Sequence, residues 1–235
     1  MTLLSTHGLT AHYGQFQALF GVDISLDAGE CVAIIGANGA GKTTLMRALS
    51  GVLRSDPQAI RYRDDSIGAL AADEVMKRGI AMVPEGRKLF PSLSVEENLL
   101  IGAHVRKGSG AWTLEAIYDL FPILKERRNN PGTALSGGQQ QMVAIGRALM
   151  SNPNVLLCDE ISLGLAPVVI RDIYNALPRI REGGAAVIIV EQDIGQALKV
   201  ADRVYCMMEG RVTLSGTPST LSRQDIHTAY FGAAA

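Results

Sequence analysis

The apolar positions of this chain fall into short unbroken runs set between longer stretches of helical period. Cys31-Val-Ala-Ile-Ile35 is apolar at every position and β-branched at Val32, Ile34 and Ile35. Such a run predicts a parallel strand covered on both faces. Val155-Leu-Leu-Cys158 and Ala186-Val-Ile-Ile-Val190 share that character, and Ile80-Ala-Met-Val83 is a shorter candidate. Residues 2–11 and 17–27 alternate less strictly and predict two short strands joined through Tyr13-Gly14. Residues 42–51 and 167–181 read as helices. Apolar strands alternating with helices imply a doubly wound α/β core. Towards the end, Val204–Met208 and Arg211–Leu214 flank Glu209-Gly210, the pattern of a tight hairpin.

Between Pro84 and about Ser151 the period is helical, over 95–105, 113–127 and 138–150, with breaks at Gly108-Ser-Gly110 and Asn129-Asn-Pro-Gly132. This stretch reads as a helical subdomain inserted between core strands. The closing Ala233-Ala-Ala235 reads as a frayed tail.

Composition narrows the function classes. The chain of 235 residues is 47% hydrophobic and 5% aromatic, so aliphatic side chains must fill its core. With 22 basic and 23 acidic residues the net charge is −1, which argues against a nucleic-acid partner. Cys31, Cys158 and Cys206 lie in or beside apolar runs without a Cys-x-x-Cys pair, so they read as buried thiols in a reducing compartment. The start, Met1 to His7, lacks the pattern of a signal peptide, and no apolar stretch reaches membrane-spanning length. A cytoplasmic location is expected, with any membrane attachment supplied by a partner.

Three segments carry chemistry. Gly36-Ala37-Asn38-Gly39-Ala40-Gly41-Lys42-Thr43 matches the phosphate-loop pattern, and the apolar run before it and the helix after it supply the required context. Glycines let backbone N–H groups converge on phosphate, and the helix presents its positive end. Lys42 is expected on the β- and γ-phosphates, the Thr43 hydroxyl on Mg²⁺, and Thr44 near the α-phosphate. Val155–Cys158 runs into Asp159-Glu160. A carboxylate at such a strand end can hold Mg²⁺ or its water shell, which suits Asp159, and Glu160 is then placed to deprotonate water. Two acids at a strand end are often only solvated, and it is the phosphate loop that gives this pair weight. Leu135-Ser136-Gly137-Gly138-Gln139 opens the helix that continues through Arg147. Ser136 with the glycines can be a helix cap, an anion cradle, or both.

The phosphate loop, the Leu-Ser-Gly-Gly-Gln signature and the Asp-Glu strand end, in this order, resemble an ATP-binding-cassette (ABC) ATPase over nearly the whole chain. The resemblance implies an α/β phosphate-loop NTPase (RecA-like) core, with an N-terminal antiparallel β subdomain and an inserted helical subdomain. As one domain over 1–235, it assigns 1–84 and 152–235 to the core with the β subdomain and 85–151 to the helical subdomain. It implies ATP and Mg²⁺ as cofactors and a head-to-tail pair of cassettes, in which Ser136, Gly137, Gly138 and Gln139 of one cover the ATP held by the phosphate loop of the other. Tyr13 matches the aromatic that stacks on adenine.

Met82-Val-Pro-Glu85-Gly-Arg-Lys-Leu-Phe90, Ser162-Leu-Gly-Leu-Ala-Pro167 and Val190-Glu-Gln192 are closer still to the second ATPase of branched-chain amino-acid importers, the LivF type. That type implies a second, non-identical ATPase subunit (with the homodimer as the alternative in isolation), two multi-spanning permease subunits and, indirectly, a periplasmic solute-binding protein. It places the chain on the cytoplasmic face of the inner membrane. An importer for urea, an amide or another small polar solute is the alternative, and a soluble non-transport ABC ATPase a more distant one.

Four positions depart from the wider family. Glu85 stands where most cassettes have a glutamine that senses Mg²⁺ and the γ-phosphate, and Gln192 where most have a switch histidine. Ala166 replaces an aspartate of the loop that crosses the dimer, and Ile161 replaces a proline after the catalytic glutamate. Glu85 is expected to approach the metal and Gln192 the γ-phosphate. Of the apolar residues Leu89, Phe90 and Leu93, Phe90 is expected in the groove for a membrane subunit.

Overall fold

The structure, a computed structural model, describes residues 1–105, 108 and 110–231. Ser109 and the tail Ala233–Ala235 lie outside the described residues. In chain order the elements are β1 (Thr2–Thr6), β2 (Leu9–Tyr13), β3 (Phe16–Val22), β4 (Ser25–Asp27), β5 (Cys31–Ile35), α1 (Lys42–Leu49), β6 (Ile60–Tyr62), β7 (Asp65–Ser66) and α2 (Ala72–Lys77). There follow β8 (Ile80–Val83), α3 (Val95–Gly102), α4 (Leu114–Leu120), α5 (Pro122–Glu126), α6 (Gly137–Leu149), β9 (Val155–Asp159) and α7 (Pro167–Glu182). The chain closes with β10 (Ala186–Glu191), α8 (Ile194–Val200), β11 (Arg203–Met208), β12 (Arg211–Gly216) and α9 (Arg223–Phe231). Packing divides it into two compact units, Met1–Val75 with Ala186–Ala235, and Met76–Ala185.

In the first unit β1 is flanked by antiparallel β4 and β6, and β7 extends β6. Leu4 faces Leu26 on one side and Tyr62 on the other, and all three are buried, so one apolar rung crosses this sheet. β2 and β3 form a separate hairpin that ends in the pair Tyr13 and Phe16. β5 lies between parallel β10 and β11, and β12 returns antiparallel along β11. Every residue of β5 and β10 is buried, as their unbroken apolar runs require. The Arg203 guanidinium donates to the Glu30 carboxylate at 2.8 Å and to the Ser25 carbonyl at 3.0 Å, which ties the starts of β11, β5 and β4. Cys31 and Cys206 are buried here, and burial pushes the Cys206 thiol up to about 11.

The second unit contains the parallel pair β8 and β9 with helices α3 to α7. Cys158 is buried in β9. α3 lies against α6 at glycine contacts. A Cβ on Gly102 would collide with the Arg147 carbonyl oxygen, and one on Gly146 would stand 2.7 Å from Leu99 Cδ2. α3 begins with a full capping box, in which Ser94 Oγ accepts from Glu97 N–H and the Glu97 carboxylate accepts from Ser94 N–H. The Ser94 backbone and hydroxyl hold the Glu97 carboxyl below the usual carboxylate range.

Several expected elements are subdivided. The strand expected over 2–11 is two strands, broken where Gly8 takes φ +56°. The segment 17–27 likewise splits into β3 and β4. The helix expected over 113–127 is interrupted at Phe121, because Pro122 has no N–H to continue α4 and instead opens α5. The helix expected over 95–105 ends as α at Gly102 and finishes in a single 3₁₀ turn. β6, β7, α2, α8 and α9 were not expected.

Candidate functional site

In the first unit the phosphate loop joins β5 to α1. Gly36 is fixed by close approach, since a Cβ there would collide with the Met207 carbonyl oxygen. Gly41 caps α1 at φ +98° and makes no side-chain cap hydrogen bond. A Cβ on Gly41 would also stand 2.9 Å from Leu19 Cδ2. The turn between β11 and β12 supports the loop, with Gly210 N–H donating to the Ala40 carbonyl at 3.0 Å. Lys42 is buried, and its Nζ donates to the carbonyls of Gly36 at 2.8 Å and Ala37 at 3.1 Å. These close backbone approaches make a cradle that fits phosphate. Asn38 and Gly39 are exposed at its tip, Thr43 is half-buried and Thr44 buried.

Two further expected residues of this unit stand beside the loop. The Tyr13 hydroxyl donates to Thr44 Oγ1 at 3.5 Å and accepts from the Arg47 guanidinium at 3.2 Å, while the residue stays 41% exposed. Glu191 of β10 pairs in register with Ile35 of β5. Gln192 and Gly36 therefore leave neighbouring parallel strands at the same end. Asp193 then caps α8 by accepting from Gln196 N–H at 3.0 Å.

In the second unit Val83 of β8 pairs with Cys158 of β9. Glu85 and the Asp159-Glu160 pair thus leave adjacent parallel strands at one edge. Asp159 is buried, Glu85 exposed and Glu160 half-buried. Glu160 takes φ +49°, a left-handed conformation that costs a side-chain-bearing residue about 1–3 kcal/mol and turns the chain sharply at the strand end. Ile161 is buried, and Ala166 caps α7 with no side-chain hydrogen bond.

The signature opens α6. Ser136 Oγ accepts from Gln139 N–H at 3.3 Å, and the Gln139 side chain accepts from Ser136 N–H at 3.0 Å. Ser136 and Gln139 therefore form a capping box, and Gly137 and Gly138 begin the helix. The Arg87 guanidinium lies against Gly137, where a Cβ would stand 3.1 Å from its nitrogen. Phe90, expected in a groove, is 47% exposed, and Leu89 and Leu93 are half-buried.

The sequence reading missed Arg87 and the buried carboxylate of Glu191. Glu191 ends an apolar strand as Asp159 does, a signal that was open to the same reading. Arg87 carries no such signal, because its place beside Gly137 arises only in three dimensions.

Residues 19–162 match the family model described as ABC transporter. The chain is 43% identical to the high-affinity branched-chain amino acid transport ATP-binding protein BraG of Pseudomonas aeruginosa, covering 98% of this chain and 100% of that one. It is 33% identical to the probable branched-chain amino acid transport ATP-binding protein LivF of Archaeoglobus fulgidus, over 93% of this chain and 94% of the relative. The crystal structure of the ADP conformation of MJ1267, an ATP-binding cassette of an ABC transporter, superposes with a TM-score of 0.78 at 29% identity, over 97% of this chain and 94% of that chain. The expected fold class therefore holds, an α/β phosphate-loop NTPase with an antiparallel β subdomain and a helical insertion. The chain belongs to the ABC transporter family, as one of its ATP-binding, ATP-hydrolysing subunits.

Proposed function

We propose that this chain powers an importer of branched-chain amino acids, binding and hydrolysing ATP on the cytoplasmic face of the inner membrane. The observation that carries the reading is the 43% identity with BraG over 98% of this chain and the full length of that one. Among the described residues no helix is long and apolar enough to cross a membrane, so the path for the solute belongs to partners. These are two multi-spanning permease subunits and a second, non-identical ATPase, with a periplasmic binding protein acting indirectly. Segment 85–151, with the signature, is the helical subdomain that meets them.

In this reading Tyr13 stacks on adenine, residues 36–44 wrap the phosphates, and Lys42 carries charge to the β- and γ-phosphates. Thr43, Asp159 and Glu85 are the residues that would hold Mg²⁺, which would offset the charge of the phosphates. Glu160 accepts the proton of the attacking water and Gln192 donates to the γ-phosphate. Ser136 to Gln139 serve the ATP of the partner ATPase.

The test has two parts. Affinity-tagged chain, expressed with its neighbouring genes, should bring down two permeases and a second cassette, and its deletion should abolish leucine uptake. Glu160→Gln should still bind ATP and lose turnover by at least about a hundredfold. Recovery of the chain alone would overturn the importer reading, and unchanged leucine uptake with lost uptake of another solute would overturn the substrate reading.

A further inference from the structure

The segment after β8 carries an unusual backbone. Gly86, Arg87 and Lys88 take φ of +72°, +64° and +46° in succession. Three consecutive left-handed residues, two of them with side chains, persist only when surrounding groups over-determine them. The groups that do so here come from two helices of the same unit. Arg147, near the end of α6, donates from its guanidinium to the Lys88 carbonyl at 2.8 Å and to the Arg87 carbonyl at 3.0 Å. Its guanidinium also stands 5.7 Å from the centre of the Phe90 ring, within range of cation–π attraction. Asn98, buried in α3, closes the far side. It accepts from Phe90 N–H at 2.9 Å and donates to the Phe90 carbonyl at 3.1 Å.

The two carbonyls that Arg147 holds belong to residues whose neighbours point to different tasks. On one side is Glu85, at the edge that Asp159 and Glu160 share. On the other is Phe90, exposed on the helical segment. Arg87 itself lies against Gly137 at the start of α6, the same helix that ends near Arg147. One helix thus touches the turn at both ends, and the half-buried guanidinium is costly to desolvate unless it is hydrogen-bonded.

We propose that Arg147 is a positioning residue. Its guanidinium locks the Gly86–Lys88 turn to α6, and so fixes Glu85 and Phe90 relative to the signature helix. The planar guanidinium offers two donors in a fixed fork that matches two successive carbonyls, whereas an ammonium on a flexible stem fixes neither its own direction nor theirs. The consequence for turnover rests on the reading of Glu85 given above, and the consequence for the turn does not.

Trypsin supplies a direct probe, because Arg87 and Lys88 are themselves cleavage sites and a locked left-handed turn cannot enter the protease in extended form. Arg147→Met and Arg147→Lys should be compared with the parent chain by cleavage mapped by mass spectrometry, by nucleotide affinity and by steady-state ATPase. Cleavage after Arg87 and Lys88 should rise about tenfold in Arg147→Met and about threefold in Arg147→Lys, with other sites unchanged. The ATP dissociation constant should stay within about twofold while kcat falls about tenfold in the methionine variant and recovers partly in the lysine variant.

Arg147→Lys keeps a half-buried cation and carries the test if the methionine variant does not fold. Unchanged cleavage after Arg87 and Lys88 overturns the proposal. So does a rise shared equally by all tryptic sites, or equal behaviour of the two variants. Local cleavage with an unchanged kcat overturns its catalytic half. A flat Mg²⁺ titration in Glu85→Gln, beside raised local cleavage in Arg147→Lys, places the failure in the reading of Glu85 instead.

Discussion

Gly138 and Val169 are fitted so closely that only hydrogen fits at position 138. A Cβ built there would stand 2.9 Å from Val169 Cγ2 and collide with Cγ1. The second signature glycine is therefore required by packing of α6 on the start of α7, apart from anything it does for phosphate. Gly138→Ala should lower stability by about 1–3 kcal/mol through overpacking. Val169→Ala in the same chain should restore most of that stability. Chemical denaturation of the single and double variants measures this, and activity that stays lost in the stable double variant would isolate the role of the glycine towards phosphate.

Gln192 leaves β10 beside the phosphate loop, while Asp193 caps α8 independently of it. Substitution at 192 should spare folding. Gln192→His retains a donor and should keep at least about half of turnover, whereas Gln192→Leu should fall about tenfold or more, the cost of a lost hydrogen bond to a charged group. Equal activity of the two variants in a steady-state ATPase assay would remove Gln192 from the phosphate.

Glu85 and Asp159 leave adjacent strands at one edge, so they place two carboxylates where a divalent cation offsets like-charge repulsion. Glu85→Gln should raise the Mg²⁺ concentration for half-maximal turnover by about threefold to tenfold, the effect of about one kcal/mol of lost attraction. A Mg²⁺ titration at fixed ATP reads this directly, and superimposable curves would leave Glu85 away from the metal.

The thiol of Cys206 sits behind buried apolar side chains, and burial raises it from 9.0 to about 11. A raised acid favours the neutral form of the folded state. Its contribution to stability is thus complete below pH 9 and is lost as the pH climbs from 9 to about 11. At pH 8 the native protein should show none of its three thiols to an aromatic disulfide reagent and all three after denaturation. One thiol reacting rapidly in the native protein would contradict the burial.

The strands that bear chemistry were legible because burial on both faces leaves an unbroken apolar run, as in Cys31–Ile35 and Val155–Cys158. The phosphate loop was legible because its glycines, Lys42 and Thr43 stand at a fixed spacing between an apolar run and a helix, although the neighbours that require Gly36 and Gly41, Met207 and Leu19, are distant in the chain. What escaped depends on distant partners. Arg147 grips carbonyls 59 and 60 residues away, which no spacing rule anticipates. β6 and β7 escaped because three and two residues are too few for a period, and the pairing of β6 with β1 and of β7 with β6 supplies the stability. Gly8 and Pro122 were visible in the chain, and the breaks they impose follow from backbone chemistry that periodicity alone overrides.

The left-handed backbone at Glu160 separates what a cell selects from what a test tube rewards. Glycine or asparagine at that position would relax the turn, so a library sorted only for folded protein should enrich both. The same library sorted for growth on a transported nutrient should discard them. A position whose two rankings oppose each other in this way announces its chemistry without any substrate in hand, and a stability screen used as a proxy for fitness would rank the inactive chains above the working one.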